Sequence, residues 1–307
     1  MSRVLVTGGT GFVGHALVPA LLKAGHALAL FTRQPEKVST LYGTSEALVA
    51  GDAMESLVRD FRPEAVINLA GEGIANARWT DTRKHILRES RIGVTEKLTE
   101  ALFRHRIRPR VMISGSAVGY YGDTGSEQVD EHSPPGRDFA ARLCQDWEQA
   151  ASRVTDLGTR LAFVRIGLVI GHGGLIERMR RPFSLGLGGR LGSGRQWMSW
   201  ISRADLVQLL ITLLEKEDAE GPFNAVAPHP VTNAEFTHAF ARALRRPAIF
   251  PVPGALLKLV LGELADLLLT GQRVVSCRLE SELSFTFQHT QIESAITSAL
   301  RNDLSPP

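Results

Sequence analysis

Short apolar runs alternate with amphipathic stretches along the first two thirds of the chain. Val4, Leu5 and Val6 form the first run. Residues 12–23 follow, with Phe12, Val13, Ala16, Leu17, Ala20 and Leu21 recurring at the spacing of one helix face. Ala24-Gly25 ends that helix, because glycine suits a left-handed cap, and 27–31 is the next run. Runs at 46–51, 64–69, 110–118 and 160–169 predict four more strands, and 81–104 and 138–154 predict long helices between them. Strands alternating with helices predict an α/β fold with a doubly wound parallel sheet. Beyond Gly171 the pattern changes. Residues 203–215 read as a helix, 221–227 as a strand returning to the sheet, and Thr232-Asn233-Ala234-Glu235 as a capping box opening a helix to Leu244. Thr290 with Glu293 reads as a second box before the last helix. The most apolar stretch, 254–271, is interrupted by Lys258, Glu263 and Asp266. It is too short and too charged to span a membrane and is expected to be a buried or half-buried helix.

The turn between the first strand and first helix reads G-G-T-G-F-V-G, Gly8 to Gly14. Gly8 permits the tight turn, Gly11 lets backbone N–H groups approach a pyrophosphate, and Gly14 lets the helix pack closely on the strand. The helix start then offers unpaired donors and a partial positive charge to an anion. This predicts a Rossmann-type dinucleotide site at the C-terminal ends of the strands. At the end of the second strand stands Thr32-Arg33, with no Asp or Glu until Glu36. A guanidinium there matches a 2′-phosphate, so NADP is preferred over NAD. The expected cofactor residues are Gly8, Thr10, Gly11, Phe12, Val13, Gly14, Thr32, Arg33, Asp52, Ala53, Leu69, Ala70, Gly71, Glu72, Arg91, Ser114 and Val169. Residues 1–170 are thus expected to form a dinucleotide-binding domain to which 203–227 returns. Residues 171–307 are expected to be mostly a smaller mixed α/β substrate-side region. Its glycine-rich segment, 186–194, is expected to be a lid or loop rather than a second nucleotide site.

Composition narrows the partners. The 307 residues, 44% hydrophobic, suffice for a large core. The net charge of +3 is too slight to argue for nucleic acid, and the basic clusters at 178–181 and 242–246 lack interleaved aromatics. The two cysteines, Cys144 and Cys277, make no metal-ligand spacing, and a reduced, cytoplasmic protein is expected. The first residues enter a strand directly, so no signal peptide is expected. The expected partner is a small-molecule substrate, with no nucleic acid and no membrane; a homodimer is an admissible assembly.

These motifs resemble the extended short-chain dehydrogenase/reductases, the NAD-dependent epimerase/dehydratase family. The resemblance rests on V-T-G-G-T-G-F-V-G, on N-L-A-G at Asn68 to Gly71, and on the serine-rich strand running into Tyr121-Gly122. In detail the chain is similar to the uncharacterised "epimerase family" subgroup. Shared with it are N-L-A-G-E, Arg78-Trp79, Ser90-Arg91, the tyrosine pair, G-L-G-G-x-x-G-S-G and T-N-A-E-F. The resemblance implies an NADP-dependent oxidoreductase or epimerase-like enzyme of unassigned substrate. It also implies a Tyr-x-x-x-Lys acid/base pair, whose lysine lowers the tyrosine pKa. This chain departs there. Aligning Glu148 with the family's glutamate puts Ala140 at the tyrosine position and Cys144 at the lysine position. The usual serine position falls on Ala117, beside Ser116. The catalytic candidates left are Ser116, Tyr121 and Tyr120, with Ser114 and Glu72 as further relay groups. The alternative is a cofactor-binding protein without turnover.

Overall fold

The computed structural model describes residues 1–301. The chain runs first through β1 (Arg3–Thr7), α1 (Gly14–Lys23), β2 (Ala27–Phe31), α2 (Val38–Tyr42), β3 (Leu48–Gly51), α3 (Met54–Phe61), β4 (Ala65–Asn68), α4 (Asp81–Arg88), α5 (Val94–Arg104), β5 (Val111–Ala117), β6 (Gln128–Val129), α6 (Phe139–Ser152) and β7 (Arg160–Ile166). Then come β8 (Leu168–Ile170), α7 (Gly174–Ser184), β9 (Trp197–Met198), β10 (Trp200–Ser202), α8 (Arg203–Glu215), β11 (Gly221–Ala225), β12 (Val231–Thr232) and α9 (Asn233–Ala243). The chain closes with α10 (Gly254–Leu261), α11 (Leu264–Leu269), β13 (Arg273–Val274) and α12 (Ile292–Arg301).

Seven strands make one parallel sheet in the order β11-β7-β5-β4-β1-β2-β3. The order reverses between β1 and β4, so the crevice above β1 is the topological switch point, where ligands of open α/β sheets bind. Alternation along the strands builds the two faces. Val4 and Val6 join the core under α1 and α8, whereas Leu5 joins the core under α3 and α5. All three are fully buried. The doubly wound α/β fold is therefore as expected.

Several elements differ from expectation, each for a visible reason. The first helix starts at Gly14, not Phe12, because residues 8–13 are spent on the turn. The helix over 81–104 is interrupted by a π turn at Glu89–Gly93. The strand expected over 160–169 breaks at Gly167, where a Cβ would lie 2.7 Å from the Ser199 carbonyl oxygen. The chain leaves the sheet there, and β8 pairs with β10 in a separate parallel ribbon carrying Val169. The Thr232–Glu235 capping box forms as expected. The second box does not: α12 starts at Ile292, and the Ser294 and Ala295 amides donate to the Gln291 carbonyl.

The apolar stretch 254–271 is the largest correction. It is two short helices divided by Gly262 at φ +60°, with no buried residue in α10. Leu259 is 76% exposed. Among the described residues no helix is long and apolar enough to cross a membrane.

Candidate cofactor and active site

The glycine turn after β1 is shaped by backbone contacts. Gly8 sits at φ +72°, and a Cβ there would lie 2.5 Å from the Leu69 carbonyl oxygen. The Gly11 amide closes the turn onto the Gly8 carbonyl at 3.0 Å. A Cβ on Gly11 would meet only that carbonyl, at 3.2 Å, so its outer side is open. Gly14 differs from expectation. A Cβ there would collide with the Gly9 carbonyl, so its bareness lets the helix start lie against the loop itself. Tyr42, missed by sequence reasoning, donates its hydroxyl to the Gly9 carbonyl at 2.6 Å and pins the loop from α2. The amides of Phe12 and Val13 donate to no acceptor among the described residues. Free donors at a helix start beside an open Gly11 fit a pyrophosphate. The Phe12 ring reaches across to the segment after β8. There a Cβ on Gly174 would come within 3.2 Å of it, and Arg203 stacks over it at 4.9 Å.

The neighbouring strand ends are held in register by Asn68. It accepts from the Thr7 hydroxyl at 2.7 Å and donates to Thr95 at 2.8 Å and Ser114 at 3.3 Å. Thr7 in turn accepts from the Ala70 amide. Ser114 is fully buried in this network and does not reach the crevice. The π turn then grips the following peptide. Ser90 accepts from the Glu72 amide, and Arg91 donates to the Glu72 carbonyl, both at 3.0 Å. Arg91 also donates to the Leu87 carbonyl and lies 5.5 Å over the Trp147 ring. Its donors serve the loop backbone, so it positions Gly71 and Glu72. At the end of β2, Thr32 is buried and Arg33 is 90% exposed, paired with Glu72 at 3.5 Å. Arg83 reaches the other Glu72 oxygen, also at 3.5 Å. Burial opposes the Glu72 charge, but Asn76, Arg83 and Arg33 together hold its carboxyl below the usual range. Asp52 and Ala53 follow β3 at the exposed edge, and Leu69 and Ala70 are half-buried above β4.

The end of β5 carries a buried polar network that sequence reasoning missed. Ser116, 2% exposed, donates to Glu148 on α6 at 2.7 Å. Arg165 on β7 clamps both Glu148 oxygens, at 2.9 and 3.0 Å. It also donates to the Tyr121 hydroxyl at 3.0 Å, and that hydroxyl donates to the Asn224 side-chain oxygen on β11 at 2.7 Å. Burial works against the Arg165 charge, and the Glu148 bonds more than offset it, so the guanidinium is held protonated. Buried Glu131 completes the net, accepting from the Asn224 and Cys277 amides and the Ser276 hydroxyl. Both Ser116 and Tyr121 are therefore committed to protein partners. The Tyr120 hydroxyl alone of the three candidates has no protein partner among the described residues, and Arg165 stacks on its ring at 3.5 Å.

Burial pushes the Tyr121 hydroxyl up to about 12, with Arg165 pulling the other way. A folded-state value above the unfolded value of about 10 means full stabilisation below pH 10, lost as pH rises toward the folded value. Urea unfolding should therefore show stability falling across this alkaline window. Tyr121→Phe should flatten the fall while lowering stability at neutral pH by about 1–3 kcal/mol, because Arg165 and Asn224 lose a buried partner. An unchanged alkaline slope would remove Tyr121 from this role.

Residues 4–226 match the model of the NAD dependent epimerase/dehydratase family. The chain belongs to that family. Residues 252–299 match a domain of unknown function, DUF1731. An epimerase family protein of Mycobacterium bovis is 41% identical over 296 residues, covering 95% of this chain and 96% of the relative. The human epimerase family protein SDR39U1, solved with NADPH, is 36% identical with a TM-score of 0.87, covering 98% of this chain and 99% of that one. UDP-N-acetylglucosamine 4-epimerase from Bacillus cereus, at 18% identity and TM-score 0.74 over 97% of this chain and 98% of that one, shares the fold. Where the family resemblance implies tyrosine and lysine, this member has Ala140 and Cys144 buried on α6. The turn Val118–Tyr121 covers Ala140, since a Cβ on Gly119 would lie 3.5 Å from the Ala140 Cβ. The Cys144 thiol is pushed up to about 11 by burial, with Glu148 adding to it, and is neutral where the lysine would be charged. Among the described residues no cluster of three or more His, Cys, Asp or Glu could hold a metal.

Proposed function

We propose that this protein binds NADP(H) across the switch point and exchanges hydride with a small carbonyl or hydroxyl substrate, with Tyr120 handling the proton. The free Tyr120 hydroxyl, beside committed Ser116 and Tyr121, carries the catalytic half of this reading. The cofactor half rests on the open Gly11 turn, the unpaired amides after it, and an exposed Arg33 in place of an acid. The NADPH in the human relative's structure supports the same choice. In this reading Gly8, Gly11, Phe12 and Val13 would hold the pyrophosphate. Thr32 and Arg33 would take the 2′-phosphate end. A nicotinamide bound there would supply or accept the hydride.

Among the described residues Arg33 is paired only with Glu72, at the loose distance of 3.5 Å, so a 2′-phosphate could displace that carboxylate. A charge-assisted bond of this kind contributes about 1.5–3 kcal/mol. Arg33→Ala should therefore erase most of any preference for NADPH over NADH, measured by calorimetric titration of both cofactors. An undiminished preference would put the phosphate elsewhere.

Turnover is tested with stereospecifically deuterated NADPH against a panel of carbonyl compounds. Label should appear in a product alcohol, and Tyr120→Phe should lower the rate about 10²–10⁴-fold, as for loss of a general acid. Full activity in that variant would move the proton to Glu72, water or the substrate. The second reading, an NADPH-binding sensor without turnover, is favoured by the neutral Ala140–Cys144 pair. It predicts tight cofactor binding with no label transfer.

A further inference from the structure

The basic cluster at 242–246 and Arg190 of the glycine-rich loop have no part in the sheet-edge site. They meet at a cavity of about 610 Å³ between the outer face of α9 and residues 247–251. Its lining includes Arg190, Arg242, Arg246 and His238 but no carboxylate. Among the described residues, no Asp or Glu lies within ion-pair distance of these three arginines, and the Arg242 guanidinium meets His238 Nε2 at 3.0 Å instead. Its apolar wall comes from Ala234, Ala241 and Ile249, the last 70% exposed.

Backbone bonds hold the chain segments that carry Arg190 and Arg246. The Arg190 carbonyl accepts from the Val252 amide at 2.9 Å, and the Leu191 amide donates to the Asn233 side chain at 2.8 Å, so the loop is tied to the start of α9. Residues 186–194, expected to be a lid or loop, form a loop that is tied to α9 and walls the cavity. At the other end, Arg245 adopts φ +54° and the Arg246 amide bonds back to the Ala241 carbonyl at 3.0 Å. This left-handed cap turns the chain so that Arg246 and Pro247 face α9 again.

Three arginines lining one cavity with no carboxylate in its wall give a summed potential that favours an anion. Guanidinium forks match oxyanions, and a mostly apolar cavity of this volume accommodates a small organic molecule. We propose that this cavity binds a small organic anion, an oxyanion head such as phosphate or carboxylate on an apolar body, at a site separate from the cofactor crevice. The head lies among Arg190, Arg242 and Arg246, and the body lies on Ala241 and Ile249.

The test is calorimetric titration of the full chain with phenyl phosphate, inorganic phosphate and benzyl alcohol. Phenyl phosphate should bind at least about tenfold more tightly than either of the others, since each lacks one half of the recognition. The Arg190→Gln/Arg246→Gln double variant, altered at two solvent-facing side chains, should lose about tenfold or more in phenyl phosphate affinity. Arg33→Ala should leave that affinity unchanged. Unaltered binding by the double variant, or loss in Arg33→Ala, would overturn the assignment. Equal affinity for inorganic phosphate would reduce the cavity to an adventitious anion site and also overturn it. Displacement of phenyl phosphate by a polyglutamate peptide at lower concentration would assign the surface to an acidic protein segment instead.

Discussion

Glu148→Gln should destabilise the protein by about 3–5 kcal/mol, because it leaves the Arg165 charge buried without its partner. Arg165 is 4% exposed and spends its guanidinium on Glu148 and Tyr121. The same carboxylate also receives Ser116. An amide returns one acceptor and turns a donor toward a donor. Urea unfolding measures the loss. The double change Glu148→Leu/Arg165→Met should recover a large part of it, since replacing a whole buried pair by apolar side chains is often close to neutral. A loss below about 1 kcal/mol in Glu148→Gln would place the pair in a wetter, weaker setting than its burial implies.

Gly11→Val should fold and yet lose NADPH affinity by about a hundredfold or more, roughly 2.7 kcal/mol. The protein itself leaves room at Gly11, whose Cβ would meet only the Gly8 carbonyl at 3.2 Å. In the proposed binding mode that open side is where a pyrophosphate would approach the Phe12 and Val13 amides. Gly14 separates the two effects. A side chain there would strike the Gly9 carbonyl, so damage at Gly14 disturbs the loop before any ligand arrives. Circular dichroism and calorimetry on Gly11→Val check fold and binding together. Normal affinity in a folded variant would move the cofactor off this turn.

The sheet was readable because its inner strands are buried on both faces and appear as apolar runs bounded by glycine and caps. β2 and α8 begin and end at the residues that the pattern predicts. The break at Gly167 was hidden because Leu168–Ile170 is as apolar as a continuing strand. Only the approach of the Ser199 carbonyl makes the chain leave there. Exposure of α10 was hidden for a related reason: composition measures hydrophobicity but not what covers it.

The glycine turn after β1 was legible because local backbone geometry dictates glycine. The polar network at the end of β5 was not, because its partners come from far apart. Ser116 meets Glu148 32 residues on, and Tyr121 meets Asn224 103 residues on. One signal was available. An arginine among the apolar residues of β7 is a buried charge in need of an acid, and Glu148 stands on the preceding helix. Tyr42 gave no comparable signal, since nothing near it in sequence marks a residue that reaches the loop.

Calorimetric titration of the unmodified protein with NADPH and with NADH tests the central claim most directly. The account predicts that NADPH binds about ten- to a hundredfold more tightly, through a 2′-phosphate contact with Arg33 at the end of β2. Equal affinities, or binding of neither dinucleotide, would contradict it.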